Sequence, residues 1–266
     1  MRTTAIINLK GGTGKTVTAI NMAAILAMEH HKHVLLIDAD SQHNTTDFFG
    51  ADPADRGVAS YLSGEQEPYY PENFWKTETP GLWLLTGSDD LMDYDISAIR
   101  DGRANKRALA DLFVSMAEDS EWADGAIDHV IVDCPPAFNA ASAAALAAVD
   151  EAIIPLSLDA FSVSGVANML RQIHNMRAIN PRLRVAGVLI TKWRPDLAAQ
   201  EADLRKLNKL LPVYDQVIRD SRKVTSMTFS GDPLVIHSPH SAAAIDYRRW
   251  VKEYLGEEDG KHGNAV

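Results

Sequence analysis

The chain has 266 residues, a formal net charge of −10, 46% hydrophobic residues and a single cysteine, Cys134. The apolar fraction excludes a disordered chain, the lone cysteine excludes an internal disulfide and fits a reducing cytoplasm, and the acidic total excludes a surface that is basic throughout. No stretch of about 18 apolar residues is free of charge, so no spanning helix is expected, and the N-terminus lacks the apolar run of a secretory signal.

In chain order, Thr3–Asn8 reads as a strand and Lys15–Glu29 as a helix. Between them lies Lys10-Gly11-Gly12-Thr13-Gly14-Lys15-Thr16. A glycine loop between a strand and a helix is the setting of a phosphate cradle. Glycines let amides turn inward around phosphate oxygens, and the helix N-terminus adds partial positive charge there. Lys15 would reach the β- and γ-phosphates and the Thr16 hydroxyl would ligate Mg²⁺. Leu9 stands where the standard phosphate-loop spacing has its first glycine; a second lysine, Lys10, stands at the mouth of the loop instead. Lys15 already serves the chain's own phosphates, so Lys10 can serve a nucleotide held by a second subunit.

Val34–Ile37 is a wholly apolar strand that ends in Asp38-Ala39-Asp40. The stretch Ala51–Ser88 holds Pro53, Pro68, Pro71 and Pro80 with the aromatic pairs Tyr69-Tyr70 and Phe74-Trp75. It reads as a helix around Val58–Leu62, then a loop and a small hairpin. A helix over Ala104–Ala117 precedes the strand Val130–Val132, which ends in Asp133 and the stiffening pair Pro135-Pro136. Cys134 reads as a buried filler. Then follow helix Ala140–Ala148, strand Ala152–Leu156, helix Val163–Arg177, strand Val185–Ile190, and helices Leu197–Leu210 and Ala242–Tyr254. Short apolar strands alternating with helices predict an α/β domain over residues 1–255, a mostly parallel, doubly wound sheet flanked by helices; residues 256–266 read as a frayed tail. In such sheets ligands sit at the carboxyl ends of the strands. Asp38, Asp40 and Asp133 would share a crevice with the glycine loop, where carboxylates can hold Mg²⁺ and orient a water.

Lys10–Thr16 resembles the deviant Walker A motif of the ParA/MinD superfamily, and Asp133-Cys134-Pro135-Pro136 resembles the switch region of that family. The resemblance runs from about Arg2 to Leu255 and is looser after Pro136. It implies a P-loop ATPase using ATP and Mg²⁺, with Lys10, Gly11, Gly12, Thr13, Gly14, Lys15, Thr16 and Val17 on the nucleotide. Catalytic roles fall to Lys15, to Asp40, which would position the attacking water, and to Lys10 acting in trans across a homodimer. The metal would be held by Thr16, with Asp38 and Asp133 acting through water. Where the family reads Pro-Gln-Gly-Asn-Ala-Thr, this chain reads Ser41-Gln42-His43-Asn44-Thr45-Thr46 and departs at residues 41, 43 and 45.

Arg171 to Lys223 carries twelve Lys/Arg against five Asp/Glu, the footprint of a basic face. By resemblance Arg219 and Arg222, with neighbouring Lys223 and Arg194, would bind DNA phosphates without reading sequence. The implied function is DNA partition or cellular positioning. An ATP-locked homodimer, cytoplasmic and nucleoid-associated, would be released when a ParB-like partner stimulates slow hydrolysis. A MinD-like membrane switch is the alternative. It needs a basic amphipathic C-terminal helix, and Arg248-Arg249-Trp250-Val251-Lys252 is followed by Glu253, Glu257, Glu258 and Asp259, which anionic lipid repels; no stable membrane binding is expected. An iron–sulfur ATPase needs several cysteines, and nothing identifies the substrate of a small-molecule transferase. His30, His31 and His33 read as polar groups at a helix end, and no zinc is assigned.

Overall fold

Successive residues of a strand point to opposite faces of a sheet, and here both faces are apolar. Ala5, Leu35, Ile37, Val130, Val132 and Ile154 enter one core, whereas Ile6, Val34, Leu36, Ile131 and Ile153 enter another. The computed structural model describes residues 1–52, 57–65, 73–102, 105–118, 126–158 and 162–257. The first elements are β1 (Arg2–Ile6), α1 (Lys15–Glu29), β2 (Val34–Asp38), α2 (Asn44–Phe48), α3 (Val58–Ser63), β3 (Trp75–Lys76), β4 (Leu82–Leu85), α4 (Asp90–Asp101) and α5 (Ala108–Glu118). They are followed by β5 (His129–Asp133), α6 (Ala140–Ala148), β6 (Glu151–Ser157), α7 (Ser162–Met176), β7 (Arg184–Thr191), α8 (Ala198–Leu207), α9 (Arg222–Ser230), α10 (Leu234–His237) and α11 (Ala242–Leu255).

The sheet order is β3-β4-β2-β5-β1-β6-β7, and β3 alone runs antiparallel, against β4. Because β2 lies beyond β5, the connection through α1 skips one strand. The register then sets Asp38 of β2 directly beside Asp133 of β5, and Ile6 of β1 on the other flank of Asp133. One face carries α3 to α7 and the other carries α1, α9, α10 and α11. On α11, Tyr247, Trp250, Val251 and Tyr254 are all buried, packed toward α1. Residues 213–219 lie along the outer edge of β7 through backbone bonds such as Tyr214 N–H to the Val188 carbonyl (3.0 Å) and Ile218 N–H to the Ile190 carbonyl (2.8 Å).

The mostly parallel, doubly wound sheet matches the sequence reading, and so do the helix from Val58 and the hairpin. Four helices were not expected, α2, α4, α9 and the short α10. α2 opens within the segment after Asp40, where no helix was expected. α4 presents only Leu91 and Tyr94 to the core, and α9 only Met227. α5 begins at Ala108, four residues after the expected start, and residue 104 lies outside the described residues, as do Pro53, Pro68, Tyr69, Tyr70, Pro71 and most of the expected tail.

Candidate active site

The loop after β1 is shaped by its glycines and braced from three sides. Gly12 and Gly14 hold φ of 72° and 83°, a left-handed backbone open to glycine. Gly14 caps α1, its carbonyl accepting the Thr18 amide at 2.9 Å. Asn8 fixes the start: its amide side chain donates to the Pro155 carbonyl (2.7 Å) and its oxygen accepts the Lys10 amide (3.0 Å). From β7, the Thr191 hydroxyl donates to the Thr13 carbonyl at 2.8 Å. Lys15 is buried and its ammonium donates to the Lys10 carbonyl at 3.4 Å. Burial holds the Lys15 pKa below the usual lysine range, with Asp133 and Asp40 opposing. Lys10 itself is half-buried at the loop mouth.

Asp38 and Asp133 are fully buried neighbours. Thr46 of α2 gives both its amide and its hydroxyl to Asp38 Oδ2, each at 2.8 Å, and the Thr45 hydroxyl donates to Asp133 Oδ2 at 2.8 Å. Burial, then the neighbouring negative charge, raises both carboxyls above the usual carboxylate range. Asp133 Oδ1 is buried with no hydrogen-bond partner among the described residues, while the Thr16 hydroxyl helps to hold the same carboxylate in its charged form. Two adjacent acids, an orphaned carboxylate oxygen and a hydroxyl form a hard-oxygen donor set that fits Mg²⁺, which is commonly held by one or two carboxylates plus substrate phosphates. No group of three or more His, Cys, Asp or Glu side chains that could hold a metal is found among the described residues, and a site completed by phosphates does not require one. Asp40 sits closer to the rim, with its Oδ1 accepting the Gln42 amide at 3.1 Å. Cys134 is buried and burial pushes its thiol pKa up, so it is poorly suited as a nucleophile.

A cavity of about 710 Å³ opens from this loop, within the range of small-molecule sites. Its near wall includes Gly11, Gly12, Gly14, Lys15, Thr16 and Val17, with Asp40 beside them. Its lining also includes Lys192, Ile218, Ser221, Val224, Thr225 and Tyr247. Lys192 adopts φ of 52°, an unusual backbone for a residue with a Cβ. Arg194 and Arg219 line this cavity too, and both are paired. Arg194 bonds Asp220 at 2.7 Å, and Arg219 clamps buried Asp246 of α11 through two nitrogens at 2.7 and 2.8 Å. Of the four cations expected to act together, Arg222 and Lys223 are exposed on the first turn of α9, Arg194 is exposed and Arg219 partly so, the last two each beside a carboxylate at the cavity.

A family profile described as an AAA domain matches residues 1–185. The chromosome partitioning protein ParA of Caulobacter vibrioides is 32% identical over 269 residues, covering 100% of this chain and 98% of its own length. The chromosome-partitioning ATPase Soj of Thermus thermophilus is 34% identical, covering 96% of each chain. The chain belongs to the ParA/MinD superfamily of P-loop ATPases. Among solved structures, a cobyrinic acid a,c-diamide synthase of Mycobacterium smegmatis with bound ATP analogue and magnesium has a TM-score of 0.78 at 28% identity, covering 96% of this chain and 94% of that one.

Within this P-loop ATPase several site-building residues escaped the sequence reading. Thr45 and Thr46 had a signal, since two hydroxyls follow the Asp38–Asp40 pair closely enough to fold back on the acids. Gly87 had none. A Cβ there would stand 2.8 Å from the Asp38 carbonyl oxygen and 3.0 Å from its carboxyl carbon, so glycine is what admits the β4–α4 connection beside the acid. Thr191 and Asp246 reach the site from well over a hundred residues away, and only the folded chain brings them there.

Proposed function

We propose that this chain is an ATP-dependent dimerising switch of ParA type, acting in DNA partition or cellular positioning. The observation that carries the reading is the meeting of the phosphate loop with Asp40 on the cavity wall, beside the buried pair Asp38 and Asp133 that the strand register sets side by side. Lys15 would contact the β- and γ-phosphates, and the Thr16 hydroxyl would enter the metal shell, with Asp38 and Asp133 acting through water. Mg²⁺, when bound, would neutralise charge on the phosphate oxygens. Asp40 would orient the attacking water. Lys10, at the loop mouth, would reach the nucleotide of a second protomer. Arg222 and Lys223 support DNA binding, because cations in the first turn of a helix oppose its dipole and gain nothing from the fold. A ParB-like partner would stimulate hydrolysis in the cytoplasm, on the nucleoid. The MinD-like alternative is disfavoured by α11, whose apolar face is packed into the core rather than offered to lipid. No helix among the described residues is long and apolar enough to cross a membrane.

Size-exclusion chromatography with light scattering, with and without a slowly hydrolysed ATP analogue, tests the reading. The wild type is expected to shift from monomer to dimer with the analogue, and the dimer to co-elute with DNA. Lys15→Ala should abolish nucleotide binding, and Lys10→Ala should bind nucleotide yet stay monomeric. A wild type that ignores the analogue, or a Lys10→Ala dimer of unchanged stability, would overturn it.

A further inference from the structure

His43 stands three residues after Asp40 in a backbone conformation that suits glycine, with φ and ψ both 36°. Its amide closes the turn by donating to the Asp40 carbonyl at 2.9 Å, and its own carbonyl accepts the Asp47 amide at 2.9 Å, which starts α2. Everything that α2 delivers to the acids depends on this reversal, because Thr45 and Thr46 follow at once. A residue with a Cβ is disfavoured here, so a glycine would make the same turn more easily. The histidine contributes something a glycine lacks. Its ring is only 23% exposed and reaches two carboxylates. Nδ1 lies 3.0 Å from Asp47 Oδ1, and Nε2 lies 3.8 Å from Asp89 Oδ1, at the cap of α4. The connection before α4 is also tied to α2 on its inner side, where the Gly87 amide donates to the Thr46 hydroxyl at 2.8 Å.

We infer that His43 is a positioning residue for hydrolysis, whose ring latches the turn carrying Asp40 to α2 through Asp47. The inference rests on the reading of the cavity as an ATP site and names a part that this reading leaves without a role. His43 does not line the cavity and touches no reacting atom. It acts through the turn: Asp40 Oδ1 is oriented by the Gln42 amide, and Gln42 is held between Asp40 and His43. The Nδ1 contact to Asp47 ties the turn to α2, while Nε2 faces Asp89 beyond hydrogen-bond distance. With the ring gone, a glycine at the same place lets the turn and the Asp40 carboxylate sample others, and the water that Asp40 would orient is no longer held in line.

The test compares wild type, His43→Gly, His43→Asn and Asp47→Asn for ATP affinity, steady-state turnover with Mg²⁺, and melting temperature. His43→Gly is expected to lower kcat roughly tenfold, within the range that misplacement of a reacting group costs, while nucleotide Kd stays within about twofold. Its melting temperature should not fall, since glycine suits the backbone. A merely structural residue would lose stability and affinity together with turnover. His43→Asn, which tolerates the left-handed backbone and retains a donor for Asp47, should recover most of kcat. Asp47→Asn should lower kcat less, and combined with His43→Gly should add nothing further, because both remove one contact. Unchanged kcat in His43→Gly, or a parallel loss of kcat, affinity and stability, overturns the inference while leaving the ATP site standing. A wild type that neither binds nor hydrolyses ATP removes both.

Discussion

Gly87 and His129 set limits on opposite ends of the same sheet. The missing side chain of Gly87 leaves room for Asp38, so Gly87→Ala forces either the carbonyl or the carboxyl of Asp38 to move. Overpacking of this kind costs about 1–3 kcal/mol. The expected outcome is a lower denaturant midpoint together with weaker magnesium-dependent nucleotide binding, both read by titration; unchanged values would show that the connection after β4 yields freely. His129 lies at the far end of β5, buried beneath Tyr254, and burial, helped by the positive charge of Arg2, lowers its pKa from 6.5 to about 4. The unfolded chain therefore binds the proton more readily than the fold does. The stability due to neutral His129 is intact above about pH 6.5 and is lost as pH falls toward about 4. The buried acids Asp38 and Asp133 change in the opposite sense, because the fold takes up their protons more readily than the unfolded chain. Comparing wild type with His129→Gln by urea unfolding at pH 7 and pH 5 separates the two, and the variant should lose less stability on acidification.

At the scale of single elements, α11 joins the interior to the cavity wall. Trp250 is fully buried among Tyr214, Tyr247 and Tyr254, with ring centroids 5.8, 6.1 and 6.4 Å away. Trp250→Ala should cost about 3–5 kcal/mol, measured by chemical denaturation, whereas Trp250→Phe should cost much less, since the indole N–H has no partner to lose. The same helix supplies Asp246 to Arg219, so the alanine variant should also weaken nucleotide binding.

The legibility of these elements divides along physical lines. β1, β2, β5, β6 and β7 were readable because strands buried on both faces carry short, mostly apolar runs, and the phosphate loop because its glycines and lysines act locally. α4 and α9 were passed over, and each gives only one or two fully buried side chains to the core. Thr191, Asp246 and Gly87 were not readable, because their importance lies in contacts formed only across the folded chain. Arg194 and Arg219 read from the sequence as basic surface and both reach the surface, but charge counting cannot see that a carboxylate stands opposite each of them.

For the molecule as a whole, the charge map separates an acidic body from the exposed opening of α9. Arg222→Ala should weaken binding to every DNA sequence alike and reduce the salt slope by about 1, checked by titrating two unrelated duplexes at several salt concentrations; loss confined to one sequence would point to base reading instead. Arg219→Ala should behave differently and disturb the cavity first, because it releases a buried carboxylate.

The strip of chain laid over β7 has a consequence for how copies of this protein can meet. A bare outer strand offers a row of unused amides and carbonyls on which a neighbour's sheet can grow without end. Here Tyr214 presses its ring onto Gly187, where a side chain would collide at 2.5 Å, and the neighbouring backbone satisfies that border from Val188 to Trp193. The opposite border ends in a strand of two residues. Among the described residues neither margin offers a long bare edge, so the proposed twofold pairing across the crevice would close on itself instead of propagating.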